Sequence, residues 1–283
     1  MNRTEIETAF IKAGLVQRTP EIDLLVRDSV RLRSTPADEA TLKPGSSKLG
    51  GHPDLPTGTP WPEFKGQPQS FLAQIQLADL QGIDSSRLLP RLGMLWFFYD
   101  AHQETFGDQP QDRDGWHIIF SDKQPATLQR LATPAKLPAD SLFQSCTLTP
   151  SKELTLALQP ELELPAFDWS NREQQAYENI LAMLRKPDEL AVPHHRLLGY
   201  PDTIQDDMRL QCQLVSNGIT DSADPRVAAM QQDAADWLLL LQIDTDSAAN
   251  MRWANNGMLY YWIRRSDLRA RRFDKSWLVL QSE

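Results

Sequence analysis

The stretch Gly93-Met94-Leu95-Trp96-Phe97-Phe98 predicts a strand that is buried on both faces. A second stretch, Gly257-Met258-Leu259-Tyr260-Tyr261-Trp262, repeats its pattern of Gly-Met-Leu followed by three aromatic residues. Short apolar runs of this kind are typical of core strands. The likeness between these two predicted strands indicates an internal repeat.

Three more segments recur in the same order, and they include the same glycines and glutamines. A fold built from two similar units explains this order better than chance similarity between buried strands does. The main difference in length is an insertion before Leu240, which contains a helix predicted from Asp224-Pro225. The pairs are Leu49-Gly50-Gly51-His52-Pro53-Asp54 with Leu197-Leu198-Gly199-Tyr200-Pro201-Asp202, Leu72-Ala73-Gln74-Ile75 with Leu240-Leu241-Gln242-Ile243, and Trp116-His117-Ile118-Ile119-Phe120-Ser121 with Trp277-Leu278-Val279-Leu280-Gln281-Ser282.

The sequence therefore predicts an α+β fold of two fused, internally duplicated, mainly antiparallel β units with a few helices, related by a pseudo-twofold axis. We expect a single domain over 1–283. Its parts are N-terminal helices and a strand (1–47), a first repeat (48–122), connecting strands and a helix (123–195) and a second repeat (196–283). A groove at the axis between the repeats is an expected ligand site.

Local patterns predict the remaining elements. The helices are expected over 4–13, over about 20–27 after a Thr19 cap, after a capping box at Ser170-Asn171-Arg172-Glu173, from Asp224 and over 267–272 after a Ser266 cap. Alternating apolar residues predict two separate strands, at 142–148 and 154–158.

Composition and charge exclude several classes of function. The chain has 283 residues, 41% of them hydrophobic, and a net charge of −9. A nucleic-acid-binding protein would normally be basic. We expect no secretory signal, no membrane span and no disulfide framework, because the N-terminus lacks an apolar segment and only Cys146 and Cys212 are present. Both are predicted to be buried thiols in a cytoplasmic protein.

At the recurring segments the chain resembles the YwqG-like family of bacterial proteins, a domain family without an established biochemical function. Some members are thought to lie near toxin–immunity genes, so the resemblance implies a protein-binding role. It implies no catalytic residues. The likeness is carried by Ser47-Lys48-Leu49-Gly50-Gly51-His52-Pro53-Asp54 with Trp61-Pro62, Phe71-Leu72-Ala73-Gln74-Ile75, Gly93-Met94-Leu95-Trp96-Phe97-Phe98-Tyr99-Asp100, Leu198-Gly199-Tyr200-Pro201-Asp202, Leu239-Leu240-Leu241-Gln242-Ile243-Asp244 and Trp262-Ile263-Arg264-Arg265.

Catalytic and cofactor motifs are absent from the sequence. It contains no HExxH, GxSxG or GxGxxG pattern, and His194-His195 are adjacent, so they rarely bind one metal. Gly50-Gly51 is interpreted as a tight turn rather than a phosphate loop. The acid pairs Asp206-Asp207 and Asp244 with Asp246 are interpreted as solvated turns. We predict no cofactor and no metal.

Six residues remain as candidates for binding a ligand or partner. Gln74 and Gln242 are either structural amides that bind the loop of their own half or a pair facing a shared groove. Trp61 and Trp253 are core plugs or binding anchors. Arg264 and Arg265 begin a basic cluster that is either a solvated helix face or an anion or partner contact.

The sequence thus predicts a non-catalytic protein-binding module of the bacterial cytoplasm. A role like that of a toxin-immunity protein is one form that this binding could take. Its partner is expected to be a basic protein, captured by an acidic face with Trp61 or Trp253 at its centre. The alternative is an enzyme or small-molecule binder that uses the groove between the repeats. A binding protein should show an exposed apolar patch with an acidic rim, whereas an enzyme should show perturbed polar groups in a pocket.

Overall fold

The fold is built on a ten-stranded antiparallel sheet. The structure, a computed structural model, describes residues 2–122, 127–164, 168–184 and 192–283. The sheet order is β14-β13-β12-β11-β1-β10-β2-β6-β7-β8, and β3 pairs with β9 and β4 with β5 outside it. The strands are β1 Val26–Pro36, β2 Lys48–Leu49, β3 Asp54–Pro56, β4 Glu63–Phe64, β5 Gln67–Pro68, β6 Ser70–Gln76, β7 Met94–Tyr99, β8 Trp116–Ser121, β9 Leu128–Arg130, β10 Cys146–Leu156, β11 His195–Leu197, β12 Trp237–Asp244, β13 Met258–Arg264 and β14 Trp277–Gln281.

The sheet curls until its two edges approach each other. The rings of Trp116 on β8 and Trp277 on β14 lie 5.0 Å apart. Inside the curl, the ring of Tyr261 lies 5.2 Å from that of Phe97, and its hydroxyl donates to the Phe98 carbonyl at 2.9 Å. The result is a nearly closed, barrel-like sheet filled with aromatic side chains, so the mainly antiparallel β architecture with a few helices is confirmed.

A helical layer covers one region of the sheet. We define this helical layer as α1–α4 together with the 3-10 turn Val16–Arg18. Its core includes Phe10 and Trp169, which both pack on Tyr177, at 5.9 and 5.3 Å between ring centroids. Tyr177 also donates to the Ala157 carbonyl just beyond β10. The helices are α1 Arg3–Lys12, α2 Thr19–Leu25, α3 Pro160–Glu163, α4 Asn171–Leu184, α5 Arg209–Val215, α6 Val227–Met230 and α7 Arg265–Arg269.

The two ends of the sheet order share several local features. The strands β6 and β12 are each third from an edge, and β7 and β13 are each second. The β6–β7 register shifts between Phe71 and Ala73, and the β12–β13 register shifts between Leu239 and Leu241. A Cβ at Gly93 or at Gly257 would lie 2.7 Å from a carbonyl oxygen of the neighbouring edge strand, so both positions require glycine.

Several local predictions need correction. The two strands expected at 142–148 and 154–158 form the single strand β10, because its whole length pairs with β1. The Asp224 segment forms only the four-residue α6, and the Asp224 side chain accepts the Arg226 N–H in the turn before it. Ser266 does not cap α7, which begins one residue earlier. Likewise, α2 begins at Thr19 itself.

Other local predictions are confirmed. The helix expected over 4–13 is α1. The capping box before α4 forms as predicted, since Ser170 and Glu173 exchange side-chain and backbone hydrogen bonds. Within the described part of the chain, no helix is long and apolar enough to cross a membrane.

Candidate functional site

A buried polar cluster surrounds Gln74 of β6. Its carboxamide oxygen accepts the Asp54 N–H at 2.8 Å, and its nitrogen donates to the Asp54 side chain and to the Ser46 carbonyl, both at 2.8 Å. Lys48 stands opposite Gln74 on β2. We call Glu39, Lys48, Asp54, Gln74 and Arg130 the first polar cluster.

The charges of this first polar cluster balance one another. The ammonium of Lys48 lies 2.6 Å from Glu39 and 3.8 Å from Asp54, and Arg130 binds Asp54 at 2.8 Å. Burial lowers the pKa of Lys48 despite these partners. Burial would raise the pKa of Glu39, but hydrogen bonds from His52 and Lys48 lower it to about 2. The hydrogen bonds from His52 and Lys48 therefore keep the Glu39 carboxylate ionised inside the protein.

A second polar cluster surrounds Gln242 of β12 with the same pattern of bonds. The amide oxygen of Gln242 accepts the Asp202 N–H at 2.8 Å, and its nitrogen donates to the Asp202 side chain at 3.1 Å and to the His194 carbonyl at 2.7 Å. Arg196 stands opposite Gln242 on β11. We call Glu153, Arg196, Asp202 and Gln242 the second polar cluster.

Arg196 alone bridges the two acids of the second cluster. Its guanidinium lies 2.9 Å from Asp202 and 3.1 Å from Glu153, and it also donates to the Tyr200 carbonyl. Burial works against the charge of Arg196, but the two carboxylates outweigh burial and raise its pKa. Burial also opposes ionisation of Asp202, yet Arg196 and His194 hold its pKa well below the usual range.

Both glutamines are completely buried, and each binds the loop of its own half. The nitrogen of each amide also donates to a carbonyl just before the repeat, that of Ser46 or His194. The clusters fix the turns that follow β2 and β11. Sequence reasoning missed Lys48 and Arg196, although the alignment of Leu49 with Leu197 places these two cations one residue earlier in each half.

The two adjacent histidines point to different acids. His195 is buried, its Nε2 lies 3.1 Å from Asp246, and its Nδ1 accepts the Asp244 N–H. Ser34 donates to the same Asp246 oxygen at 2.6 Å. Serine and histidine thus both bind the carboxylate and not each other, which is not the geometry of a nucleophile with its base. His194 instead pairs with Asp202.

The Asp246 carboxyl group and both cysteine thiols have pKa values that differ from their ordinary ones. Burial would raise the pKa of Asp246, but His195 and Ser34 lower it to about 2. Both cysteines are free and buried. Burial raises the pKa of Cys146 to about 11 and that of Cys212 well above its ordinary value. Thiols with raised pKa values are poor nucleophiles.

The two candidate tryptophans differ in how deeply they are buried. Trp253 is fully buried, and its ring packs 5.5 Å from Phe143 and 6.1 Å from Tyr99. The expectation that Trp253 faces solvent is therefore wrong, because the loop that carries it folds inward onto the core. Trp61 is half-buried, donates to the Gln69 carbonyl and packs edge-on against Phe98.

The two candidate arginines have different surroundings. Arg264 donates to Gln213 at 3.1 Å and lies over the Trp237 ring at 5.0 Å. Arg265 is half-buried and lines a groove of about 290 Å³. This groove also includes Asp28 of β1, Leu88 of the loop 77–93 and Leu239 of β12, so segments from both predicted repeats meet in it.

The helical layer carries most of the large apolar side chains that are exposed among the described residues. Within α1–α4, eight acidic residues stand against three basic ones. Exposed acidic side chains include Glu178 and also Glu7 and Asp23, which both pair with the one cation Arg3. The layer thus combines apolar side chains with an acidic surround. The exposed apolar residues of the layer are Ile11 at 63%, Val16 at 54%, Leu24 at 63%, Leu162 at 44% and Met183 at 52%.

The fold and these clusters define an α+β protein whose barrel-like sheet holds two buried polar clusters. Among the described residues, no group of three or more His, Cys, Asp or Glu side chains could hold a metal ion. Residues 47–282 match the model of a domain of unknown function, DUF1963, and the chain belongs to this family. The resemblance to YwqG-like proteins is consistent with that family. A search of curated proteins found no match.

Proposed function

We propose that this protein is a non-catalytic interaction module and that its helical layer docks a basic protein partner. The observation that carries the proposal is the set of exposed apolar side chains, Ile11, Leu24 and Met183 among them, on helices with an excess of acids. Exposed apolar patches with polar rims mark protein interaction sites. The net charge of −9 favours a basic partner.

The polar side chains of types that act in catalysis support the same conclusion. His195, Asp246, Gln74, Gln242 and Lys48 are buried and bound to one another or to nearby backbone. A catalytic group must reach its substrate. The helical layer, in contrast, offers solvent-facing apolar groups to a partner. Both free cysteines are buried, which supports a cytoplasmic location. The YwqG-like resemblance supports a bacterial origin and an immunity-like role.

The test compares two exposed leucines of nearly equal exposure. A photo-crosslinking amino acid replaces Leu24 in the helical layer or, as the control, Leu92 outside it. We expect a basic protein to be captured from position 24 and not from position 92, and its association rate to fall as salt rises. Leu24→Ser should then speed dissociation, whereas Leu92→Ser should not. Equal capture from both positions, or an acidic partner, contradicts the proposal.

We also propose that the fold arose by internal duplication, with repeats at 48–122 and 196–283 related by a pseudo-twofold axis. The matching order of strands, the register shifts after Phe71 and Leu239 and the bonds of Gln74 and Gln242 support it. The β1–β10 pair supports it further. Val30 pairs with Leu197 as Cys146 pairs with Leu49. Under the proposed symmetry, the axis would pass beside Arg33 and Thr149, which pair directly with each other.

A second candidate function is small-molecule binding in the groove lined by Arg265. Arg265 and Asp28 supply opposite charges beside the apolar side chains of Leu88 and Leu239, which is the composition of a small ligand site. A thermal-shift screen of polar metabolites, repeated on Arg265→Ala, tests this candidate. A hit that stabilises the native protein and loses its effect in the variant would favour it over protein docking.

A further inference from the structure

An open cavity of about 690 Å³ lies within the loop 77–93, which joins β6 to β7. Leu77, Leu80 and Leu89 line it and are buried in the main hydrophobic core. Arg87 and Arg91 also line it and are exposed. The cavity, which we call the loop cleft, therefore has an apolar floor and a cationic rim. Its volume is within the range of small-molecule sites.

Internal hydrogen bonds hold the loop cleft in shape. The Leu77 N–H donates to the Gly93 carbonyl at 3.0 Å and ties the two ends of the loop together. Across the cleft, the Gln81 amide donates to the Arg91 carbonyl at 3.1 Å. Asp84 accepts both the N–H and the hydroxyl of Ser86 on one oxygen. A cleft that already exists in the free protein costs a ligand little ordering energy.

The two arginines of the rim have no acidic partner within the described part of the chain. Asp84 is the acid that shares the lining, and one of its oxygens binds Ser86 instead. The guanidinium groups of Arg87 and Arg91 are therefore available to a ligand. Guanidinium groups bind carboxylate, sulfonate or phosphate oxygens through charge-assisted hydrogen bonds. The cleft is thus locally cationic in a protein whose net charge is −9.

The loop 245–257, which joins β12 to β13, occupies the corresponding place in the other part of the sheet and is filled. Trp253 and Met251 are buried there, and the Trp253 indole N–H donates to the Asp244 carbonyl. Trp253 stands four residues before Gly257, and Leu89 stands four residues before Gly93. In the loop 77–93, which is the longer of the two, a leucine stands at the position where the loop 245–257 has a tryptophan.

We propose that the loop cleft binds an amphipathic organic anion, with one anionic head group and an apolar body about the size of an aromatic ring system. Arg87 and Arg91 bind the head group. Leu77, Leu80 and Leu89 contact the apolar body. This site is separate from the helical layer, and it shares no lining residue with the groove of Arg265.

The experiment uses anilinonaphthalene sulfonate, a fluorescent aromatic anion, as the probe. We expect saturable binding to the native protein, displaced by decanoate and not by decyltrimethylammonium, which has an alkyl tail only one carbon longer and the opposite charge. Arg87→Gln with Arg91→Gln should weaken probe binding about tenfold or more, the loss expected when charge-assisted hydrogen bonds are removed. Leu89→Trp should abolish binding by filling the cleft.

Matched controls separate this site from other surfaces. Arg252→Gln removes the exposed arginine of the loop 245–257 and should leave probe affinity unchanged. Arg265→Gln should also leave it unchanged, which distinguishes the loop cleft from the groove. The unfolding temperature of each variant shows that it is folded, and if Leu89→Trp does not fold, the arginine variants decide. Equal displacement by the cationic detergent, or unchanged affinity in the double arginine variant, overturns the proposal.

Discussion

The two polar clusters make the same bonds to their glutamines but balance their charges differently. In the first, Lys48 and Arg130 share the neutralisation of Glu39 and Asp54. In the second, Arg196 binds both Glu153 and Asp202. A guanidinium has five donors in a planar fork, whereas an ammonium is a compact point charge. Arg196 therefore binds both acids of its cluster closely, whereas Lys48 lies close to Glu39 only and Arg130 makes the shorter contact with Asp54.

This comparison teaches that the shared requirement is the fixed turn and not a particular cation. In each cluster the amide of a strand glutamine holds the N–H of an aspartate, Asp54 or Asp202, and the cation binds the carbonyl of the residue two positions earlier. The carbonyls belong to His52 and Tyr200. Different charge arrangements thus hold two turns in the same way.

The largest expected effect comes from removing the bridging cation of the second cluster. Arg196→Met removes the cation beside the largely buried Glu153 and leaves the partly exposed Asp202 with His194, so we expect a loss of about 3 kcal/mol in the free energy of unfolding, the lower end for a broken buried pair. Lys48→Met should cost less, because Arg130 still binds Asp54. Denaturant unfolding, followed by tryptophan fluorescence, measures both variants.

An exposed ion pair supplies the control for this comparison. Arg226 binds Asp224 at 2.7 Å on the surface, with its side chain 56% exposed. Arg226→Met should leave the free energy of unfolding nearly unchanged, because solvent screens such pairs. If Lys48→Met proved as costly as Arg196→Met, the proposed difference between one bridging cation and two shared cations would be wrong.

A smaller effect is expected from the glutamines. Gln74→Leu and Gln242→Leu each leave a buried N–H, that of Asp54 or Asp202, without its acceptor. We expect each variant to lose about 1–3 kcal/mol in stability, the usual cost of an unsatisfied buried polar group. Equal losses measured in urea would support equivalent roles for the two amides. A loss at one position alone would show that the hydrogen-bond patterns look alike but carry different energies.

Much of the strand content could be predicted because buried strands leave a strong pattern in the sequence. The apolar runs after Gly93 and Gly257 form β7 and β13, as expected. The sequence comparison, however, aligned Trp116 with Trp277. In the sheet, Phe98 pairs with His117 and its counterpart Trp262 pairs with Trp277. The residue equivalent to Trp277 is therefore His117, one residue later than the alignment gives. A continuous apolar run such as Trp277-Leu278-Val279-Leu280 does not specify register to a single residue.

The polar interior and the loop aromatics could not be predicted from local patterns. Lys48 is fully buried although lysine is almost never buried unless it is paired, and its partner Glu39 lies outside the recurring segments. Trp253 is buried because its loop reaches Phe143, more than 100 residues earlier in the chain. Contacts between distant segments decide both cases, and local periodicity contains no information about them.

The smallest expected effect concerns pH and again separates the two clusters. The pKa of Glu39 is lowered from 4.5 to about 2 in the folded protein. A carboxyl group with a lowered pKa stabilises the fold above its unfolded pKa and loses this contribution as pH falls through its folded pKa. Glu39 should therefore stabilise the protein fully above about pH 4.5 and progressively less down to about pH 2.

We expect Glu39→Gln to be less stable than the native protein at neutral pH and the difference to shrink across this window. Asp202 in the second cluster remains in the variant, and since its pKa is also lowered, some acid sensitivity should persist. Urea unfolding at a series of pH values measures the difference. A difference that stays constant from neutral to acidic pH would mean that Glu39 contributes through its shape and hydrogen bonds rather than its charge.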